Sequence, residues 1–182
     1  MISAVIPHWP KTLKHDEALK RCLESLHGVD EIIVEINDGI GFAKASNLGL
    51  AKTHGDYILV VNNDTVVVRG DLELLCVPNT VVVPRMVTGQ VDNMPRAFYC
   101  MPRTVYEKVG GYDERFEGGY YEDDDLINRW LKAKVKIKVE NRVEVNHIGG
   151  LTMKELDTEK LSNENFIKFH RQHYGSWPRL HR

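Results

Sequence analysis

Residues 41–65 read GFAKASNLGLAKTHGDYILVVNNDT, and their reading decides the fold. In residues 42–52, Ala45, Leu48 and Ala51 recur at three-residue spacing, which makes one face of a helix. Residues 57–61 are Tyr-Ile-Leu-Val-Val with no polar break, which suits a parallel strand covered on both faces. The strand runs directly into Asn62-Asn63-Asp64-Thr65.

The same alternation extends upstream. Residues 31–36 read as a strand. Residues 16–26 read as a helix, with Ala18, Leu19, Cys22, Leu23 and Leu26 at helical spacing. Residues 2–6 read as a strand stopped by Pro7 and Pro10. Three strands separated by two helices predict right-handed crossovers and a Rossmann-like α/β sheet. In such sheets ligands bind beyond the carboxyl ends of the strands. Those ends are Pro7-His8, residues 36–38 and residues 62–64.

Downstream the pattern is less regular. Residues 81–84, 97–101, 135–139 and 143–148 read as strands. Residues 103–109, 122–133 and 159–173 read as helices. Strands crowded late in such a chain predict a central mixed, mostly parallel sheet with helices on both faces.

Composition narrows the function. The chain has 182 residues, 42% apolar and 27% charged, which is ordinary globular usage. That length suits one domain able to build a core without staples. Lys and Arg number 24 and Asp and Glu 26, for a net charge of −2, so no global basic field holds nucleic acid. Cys22, Cys76 and Cys100 are odd in number and unpatterned, and read as thiols in a reducing compartment. No leader-like segment opens the sequence, and its apolar runs of four or five residues fall short of the ~20 that cross a bilayer. A cytoplasmic location is expected.

Four places can carry chemistry. Asn62, Asn63 and Asp64 offer hard oxygen atoms at a strand end, suited to Mg²⁺ or Mn²⁺ bridging phosphates. The same residues also make an ordinary turn. The block 113–125 holds seven acids against Arg115 alone. Its run Glu122-Asp123-Asp124-Asp125 opens a helix, where acids favour the macrodipole, yet four in a row repel one another. At about 100° per residue, Leu126, Ile127, Trp130 and Leu131 centre the apolar stripe near the direction of Asp123. Glu122 and Asp124 fall on the flanks and Asp125 on the far side. Asp123 is therefore the inward carboxylate, where partial desolvation tunes it toward general-base work. Glu117-Gly118-Gly119-Tyr120-Tyr121 before it supplies backbone freedom and aromatic surface. His147 shares a strand face with Val143 and Val145, and is a structural histidine or, with a cation at Asp64, a ligand. Finally, residues 166–182 hold Lys168, Arg171, Arg179 and Arg182, three histidines, Tyr174 and Trp177, and no acid. They form either a solvated helix face and frayed end, or a flap over a diphosphate or anionic acceptor.

These stretches together resemble family 2 of the glycosyltransferases, with the GT-A fold, most closely its rhamnosyltransferase-like branch. AVIPHWPK with ALKRCLESL looks like the first strand and helix. GFAKASNLGLAKTHGDYILVVNNDT looks like the run into the DXD-like metal motif. VGGYDERF and EDDDLINRW look like the segment around the catalytic base, and VNHIGG like the late His segment. The resemblance spans residues 2–150. It implies a catalytic domain over 1–150, with a nucleotide-sugar half at about 1–65 and an acceptor half at about 66–150. Residues 151–182 then form a C-terminal helix and basic tail.

By residue, the resemblance implies Asp64 and His147 as ligands of Mn²⁺ or Mg²⁺ on the donor diphosphate, with Asn62 and Asn63 beside them. Pro7, Glu35, Asp38 and Lys44 lie near the nucleotide. Residues 34–40 are short for the family's base-reading turn, which leaves Glu35 and Asp38 as candidates. Asp123 is the general base, and Gly119, Glu122 and Trp130 are on the acceptor side. The implied activity is a metal-dependent, inverting, hexosyl- or deoxyhexosyl-type transfer from a nucleoside-diphosphate sugar to a saccharide or other hydroxyl. Competing readings are a sugar-nucleotide-binding protein without turnover, a transferase acting on modified DNA through a weak contact of the basic tail, and a sugar-phosphate nucleotidyltransferase. Pro7-His8-Trp9-Pro10 stands where the last would need a Gly-rich phosphate loop.

Overall fold

The computed structural model describes residues 1–88, 94–149 and 158–175. Strands β1 (Ile2–His8), β2 (Glu31–Ile36) and β3 (Tyr57–Val61) alternate with helices α1 (Leu13–Ser25) and α2 (Phe42–Leu50). Then come β4 (Thr65–Arg69), a 3₁₀ turn (Leu72–Leu75), β5 (Thr80–Met86), β6 (Phe98–Pro102), α3 (Arg103–Val109), α4 (Glu122–Lys132), β7 (Lys136–His147) and α5 (Thr158–Tyr174). The seven strands form one sheet, ordered β2-β1-β3-β6-β5-β7-β4. β1 is parallel to β2 and β3, and β5 to β7, whereas β6 runs against β3 and β5, and β4 against β7. The carboxyl ends of β1, β2, β3 and β7 therefore point the same way. That direction brings His8, Ile36, Asn62 and His147 to one rim.

Alternation along the strands sorts the core into two layers. Ala4, Ile6, Leu59, Val61, Val82 and Cys100 pack with Cys22, Leu26, Leu72 and Leu75. Val5, Ile58, Val60, Val83, Tyr99 and Met101 pack on the other face with Ala43, Leu50, Val105, Leu126, Ile127 and Trp130. Both faces of the central strands are thus covered, which is why they read as unbroken apolar runs.

Three local expectations are corrected. β1 continues through Pro7 to His8. Its ladder to β3 ends at Val5, so the proline falls where that pairing has stopped. The two late strands are one, β7, with a register shift that takes Pro84–Glu140 to Arg85–Glu144. Glu140 sits in the irregularity and accepts from Arg142 N at 3.1 Å, Nε at 2.8 Å and Nη2 at 2.9 Å. Gly70 faces this bulge: a Cβ there would lie 2.3 Å from the Arg142 carbonyl oxygen. The third correction is β4, an edge strand hydrogen-bonded to β7 and not anticipated. Among the described residues no helix is long and apolar enough to cross a membrane.

Candidate active site

Asp64 is fixed by the reversal from β3 to β4. The Thr65 N–H (3.1 Å) and hydroxyl (2.7 Å) both donate to the Asn62 carbonyl and close the turn. β4 then places Thr65 opposite His147. The Asp64 carbonyl accepts from the Ile148 N–H at 3.0 Å, and its Oδ2 from the Gly149 N–H at 3.1 Å. Oδ1 lies 3.2 Å from His147 Nε2, with both side chains mostly buried. The two candidate ligands, 83 residues apart in sequence, are therefore in contact.

The two asparagines differ. Asn63 is turned inward: its amide donates to His8 Nδ1 at 2.8 Å, and His8 Nε2 lies 3.1 Å from Asp16. Because an amide N–H₂ only donates, His8 accepts at Nδ1 and holds its proton on Nε2. Asn62 Oδ1 is buried with no hydrogen-bond partner among the described residues.

The second half of the site is the start of α4. Residues 118–121 are all left-handed, with φ of 71° and 92° at Gly118 and Gly119 and 68° at both Tyr120 and Tyr121. The conformation costs about 1–2 kcal/mol at each tyrosine. The Tyr121 ring is held by Phe166 and Phe169 of α5, at centroid distances of 5.8 and 5.5 Å. The Tyr121 carbonyl accepts the Asp125 N–H at 2.8 Å and starts the helix.

The acidic block disperses from there. Asp113 is chelated by Arg115, which lowers its carboxyl to about 2. Asp124 accepts from Arg96 Nη2 at 2.9 Å. Asp125 is fully buried, not on a free far side: Arg129 Nε, Gln172 Nε2 and His173 Nε2 each reach it at 2.7 Å. The helical wheel put Asp125 on the far side from the core stripe, whereas in the fold it is buried against Gln172 and His173 of α5. Glu122, expected on a flank, is only 5% exposed. Burial first, and the neighbouring Asp123 second, push its carboxyl well above the ordinary range, and its Oε2 has no partner among the described residues.

Both halves open into one cavity of about 720 Å³. Asp64, Asn62, Asn63 and His147 line it from the strand ends, and Gly119, Glu122 and Asp123 from the loop and α4. Pro7 lines it as well. Glu35, Asp38, Lys44 and Trp130 are not among its lining residues. The Glu35 carboxylate is paired with Lys52 at 2.5 Å, Asp38 and Lys44 are exposed, and Trp130 is fully buried against Tyr99, beneath the site. At the β1 and β2 ends the wall is instead Trp9, Asn37 and Phe42. An aromatic directly after the first strand was visible in the sequence as a signal for Trp9. Arg96 and Ser162, also in the wall, had none. Gly150 and residues 176–182 of the basic tail lie outside the described residues.

Among the described residues no group of three or more His, Cys, Asp or Glu side chains gathers as a metal cage. The donor set still fits Mg²⁺ or Mn²⁺, which take one or two protein ligands and complete their shell with phosphate and water oxygens. Asp64 Oδ1 and His147 Nε2 would be those ligands, and the unpartnered Asn62 Oδ1 adds a hard oxygen beside them.

Comparison with known proteins agrees with this architecture. Residues 98–155 match a family described as the N-terminal domain of galactosyltransferase. No curated protein sequence matches the chain. The catalytic domain of Drosophila β1,4-galactosyltransferase 7, solved with xylobiose, superposes with a TM-score of 0.66 at 15% identity, over 89% of this chain and 79% of that one. A mutant of that enzyme in complex with manganese, UDP-Gal and xylobiose gives 0.61 at 14% identity, with the same coverage. S. aureus TarS gives 0.59 at 12% identity, over 98% of this chain and 44% of that one. Its 1–349 fragment in complex with UDP gives 0.57 at 11%, over 96% and 72%. The curled seven-stranded mixed sheet is that of the GT-A glycosyltransferases.

Proposed function

We propose that the chain is a metal-dependent, inverting glycosyltransferase that moves a hexosyl or deoxyhexosyl group from a nucleoside-diphosphate sugar to a saccharide hydroxyl. One observation carries the reading: Asp64 with His147, and Asp123, line the same cavity from opposite elements. The structural neighbours hold manganese, UDP-Gal, UDP and xylobiose, which supports this choice of metal, donor and acceptor class. The likeness to the rhamnosyltransferase-like branch rests on the four sequence stretches quoted above.

Each residue has a task. Asp64 and His147 would hold the cation, which when bound neutralises charge on the departing diphosphate. Asp123 sits in the first turn of α4, where the helix dipole favours a carboxylate. It takes the proton of the acceptor hydroxyl as that oxygen attacks the anomeric carbon on the face opposite the diphosphate. Inversion follows from this single displacement. Glu122, whose carboxyl is pushed well above the ordinary range by burial and by Asp123, stands beside Asp123 and orients an acceptor oxygen. Arg96 holds Asp124 aside and so keeps the next acid from competing for the same proton. Pro7 and the aromatic wall of Trp9 and Phe42 lie toward the nucleotide.

The test is direct. The chain is incubated with a panel of UDP-, dTDP- and GDP-sugars, with and without Mn²⁺, using xylobiose and other glycosides as acceptors. Release of nucleoside diphosphate that requires the cation, with an inverted anomeric centre in the product by NMR, is the expected result. A retained configuration refutes the single displacement. No release from any donor, together with no binding of UDP, refutes the whole assignment.

A further inference from the structure

We propose that Asn165 on α5 is a positioning residue for the cavity wall, through a three-carbonyl clamp that holds the left-handed loop in front of Glu122 and Asp123. Asn165 is 1% exposed. Its Nδ2 donates to the carbonyls of Glu117 at 2.9 Å, Gly119 at 2.9 Å and Tyr120 at 3.1 Å. Two protons serve three acceptors, so one is shared. Those carbonyls converge on one point because residues 118–121 share the left-handed conformation. An isolated tyrosine does not adopt it readily, so an outside contact must hold it.

The clamp has a direction built in. Asn165 Oδ1 accepts from Lys168 Nζ at 3.2 Å, and Lys168 also donates to the Arg115 carbonyl at 2.8 Å. Turning the amide over would set Oδ1 against three carbonyl oxygens and Nδ2 against an ammonium. The surrounding packing agrees: a Cβ on Gly118, which has a positive φ, would lie 2.6 Å from Leu161 Cδ1 and make that side chain shift, so α5 lies close against the loop. Tyr121 is gripped by Phe166 and Phe169 on the same helix. Ser162, one turn before Asn165, lines the cavity itself. α5 is therefore part of the site, and its contribution is the angle at which α4 starts. Nothing in sequence spacing marks this role, since Asn165 lies 42 residues beyond Asp123.

The proposal rests on the transferase reading for its kinetic arm and not for its structural arm. The test uses the full chain, Asn165→Leu and the surface variant Lys168→Met. Hydrogen exchange of residues 117–125 is followed by mass spectrometry, Mn²⁺–UDP binding by calorimetry, and donor turnover with Mn²⁺. In Asn165→Leu, exchange at Asp125, whose N–H is held by the Tyr121 carbonyl, should quicken about tenfold or more while β1 and β3 stay protected. Turnover should fall about 100-fold, as expected for a misplaced proton acceptor, with Mn²⁺–UDP affinity within about twofold. Lys168→Met removes the bond that braces Asn165 Oδ1 and the tie to the Arg115 carbonyl, and should quicken exchange at the same Asp125 N–H about threefold or more; it decides the matter if Asn165→Leu does not fold. Unchanged protection at Asp125 in the folded variants overturns the clamp. Lost protection with unchanged turnover overturns the positioning role. If the wild-type chain turns over no donor, the transferase reading fails, and the clamp stands or falls on exchange alone.

Discussion

The Asp64 carboxylate and the His147 imidazole meet at 3.2 Å where β4 pairs with the end of β7. Each is fixed by the sheet, Asp64 further by the Ile148 and Gly149 N–H groups. The pair is thus held by main-chain geometry and presents one oxygen and one nitrogen to the cavity. Changes to groups that only support metal ligands alter affinity 10- to 100-fold, so loss of a ligand should cost at least about tenfold. Asp64→Asn, which can still accept from Gly149, and His147→Ala should each weaken Mn²⁺ binding in calorimetry by that factor. Asp64→Asn should leave the urea midpoint nearly unchanged. Equal Mn²⁺ affinity in both variants would remove the cation from this place.

Glu122 should reveal itself through pH. Burial and Asp123 raise its carboxyl well above the ordinary range. The unfolded chain ionises it near 4.3, so above that pH the native state gives up stability by keeping the proton, and the loss grows as pH rises toward the native value. Glu122→Gln should therefore melt higher than wild type at pH 7, with a gain that shrinks to nothing as pH falls to about 4. A gain that is the same at pH 4 and pH 7 would mean that Glu122 is ionised in the native state.

Asp125 joins α4 to α5. Its carboxylate takes Arg129, Gln172 and His173 while fully buried. Removing one side of a buried ion pair leaves the other uncompensated, at about 3–5 kcal/mol. Asp125→Ala should lose about 3 kcal/mol in urea unfolding. A loss below about 1 kcal/mol, the range of surface pairs, would mean that the contact is solvated.

The acid limb has its own origin. Asp113 beside Arg115, Glu140 beside Arg142 and Glu31 beside Ser3 and His54 are each lowered to about 2. Depressed carboxyls add stability above their unfolded values and lose it as pH falls through the native ones. The urea midpoint should thus decline between about pH 4 and pH 2. Because the partner Arg115 is largely exposed, Asp113→Asn should flatten that decline only slightly. A midpoint that is flat across the window would contradict the assignment.

Much of this was legible in residues 1–65, where strand–helix–strand–helix–strand follows from unbroken apolar runs and helical spacing. Asp64, Asp123 and His147 stood out as polar residues at or just beyond the ends of regular elements, and all three line the cavity; the wheel made Asp123 the inward acid, whereas Glu122 and Asp125 are the more buried. Other features depend on contacts distant in sequence. β4 is a half-exposed edge strand whose partner lies some 80 residues on, so no local period marks it. Asp125 was put on a far side by the wheel, which cannot know that Gln172 and His173 of α5 bury it. Glu35 had the right type near a strand end, yet Lys52 of the next turn of chain claims its carboxylate. Asn165 acts through main-chain carbonyls, which no residue pattern records.

The account turns on Asp123 taking a proton while other residues hold the donor. Wild type and Asp123→Asn are compared for Mn²⁺–UDP affinity by calorimetry and for donor turnover under saturating Mn²⁺. Turnover should drop about 10²- to 10⁴-fold with affinity within about twofold. Full turnover in Asp123→Asn, or affinity lost in step with turnover, would contradict it.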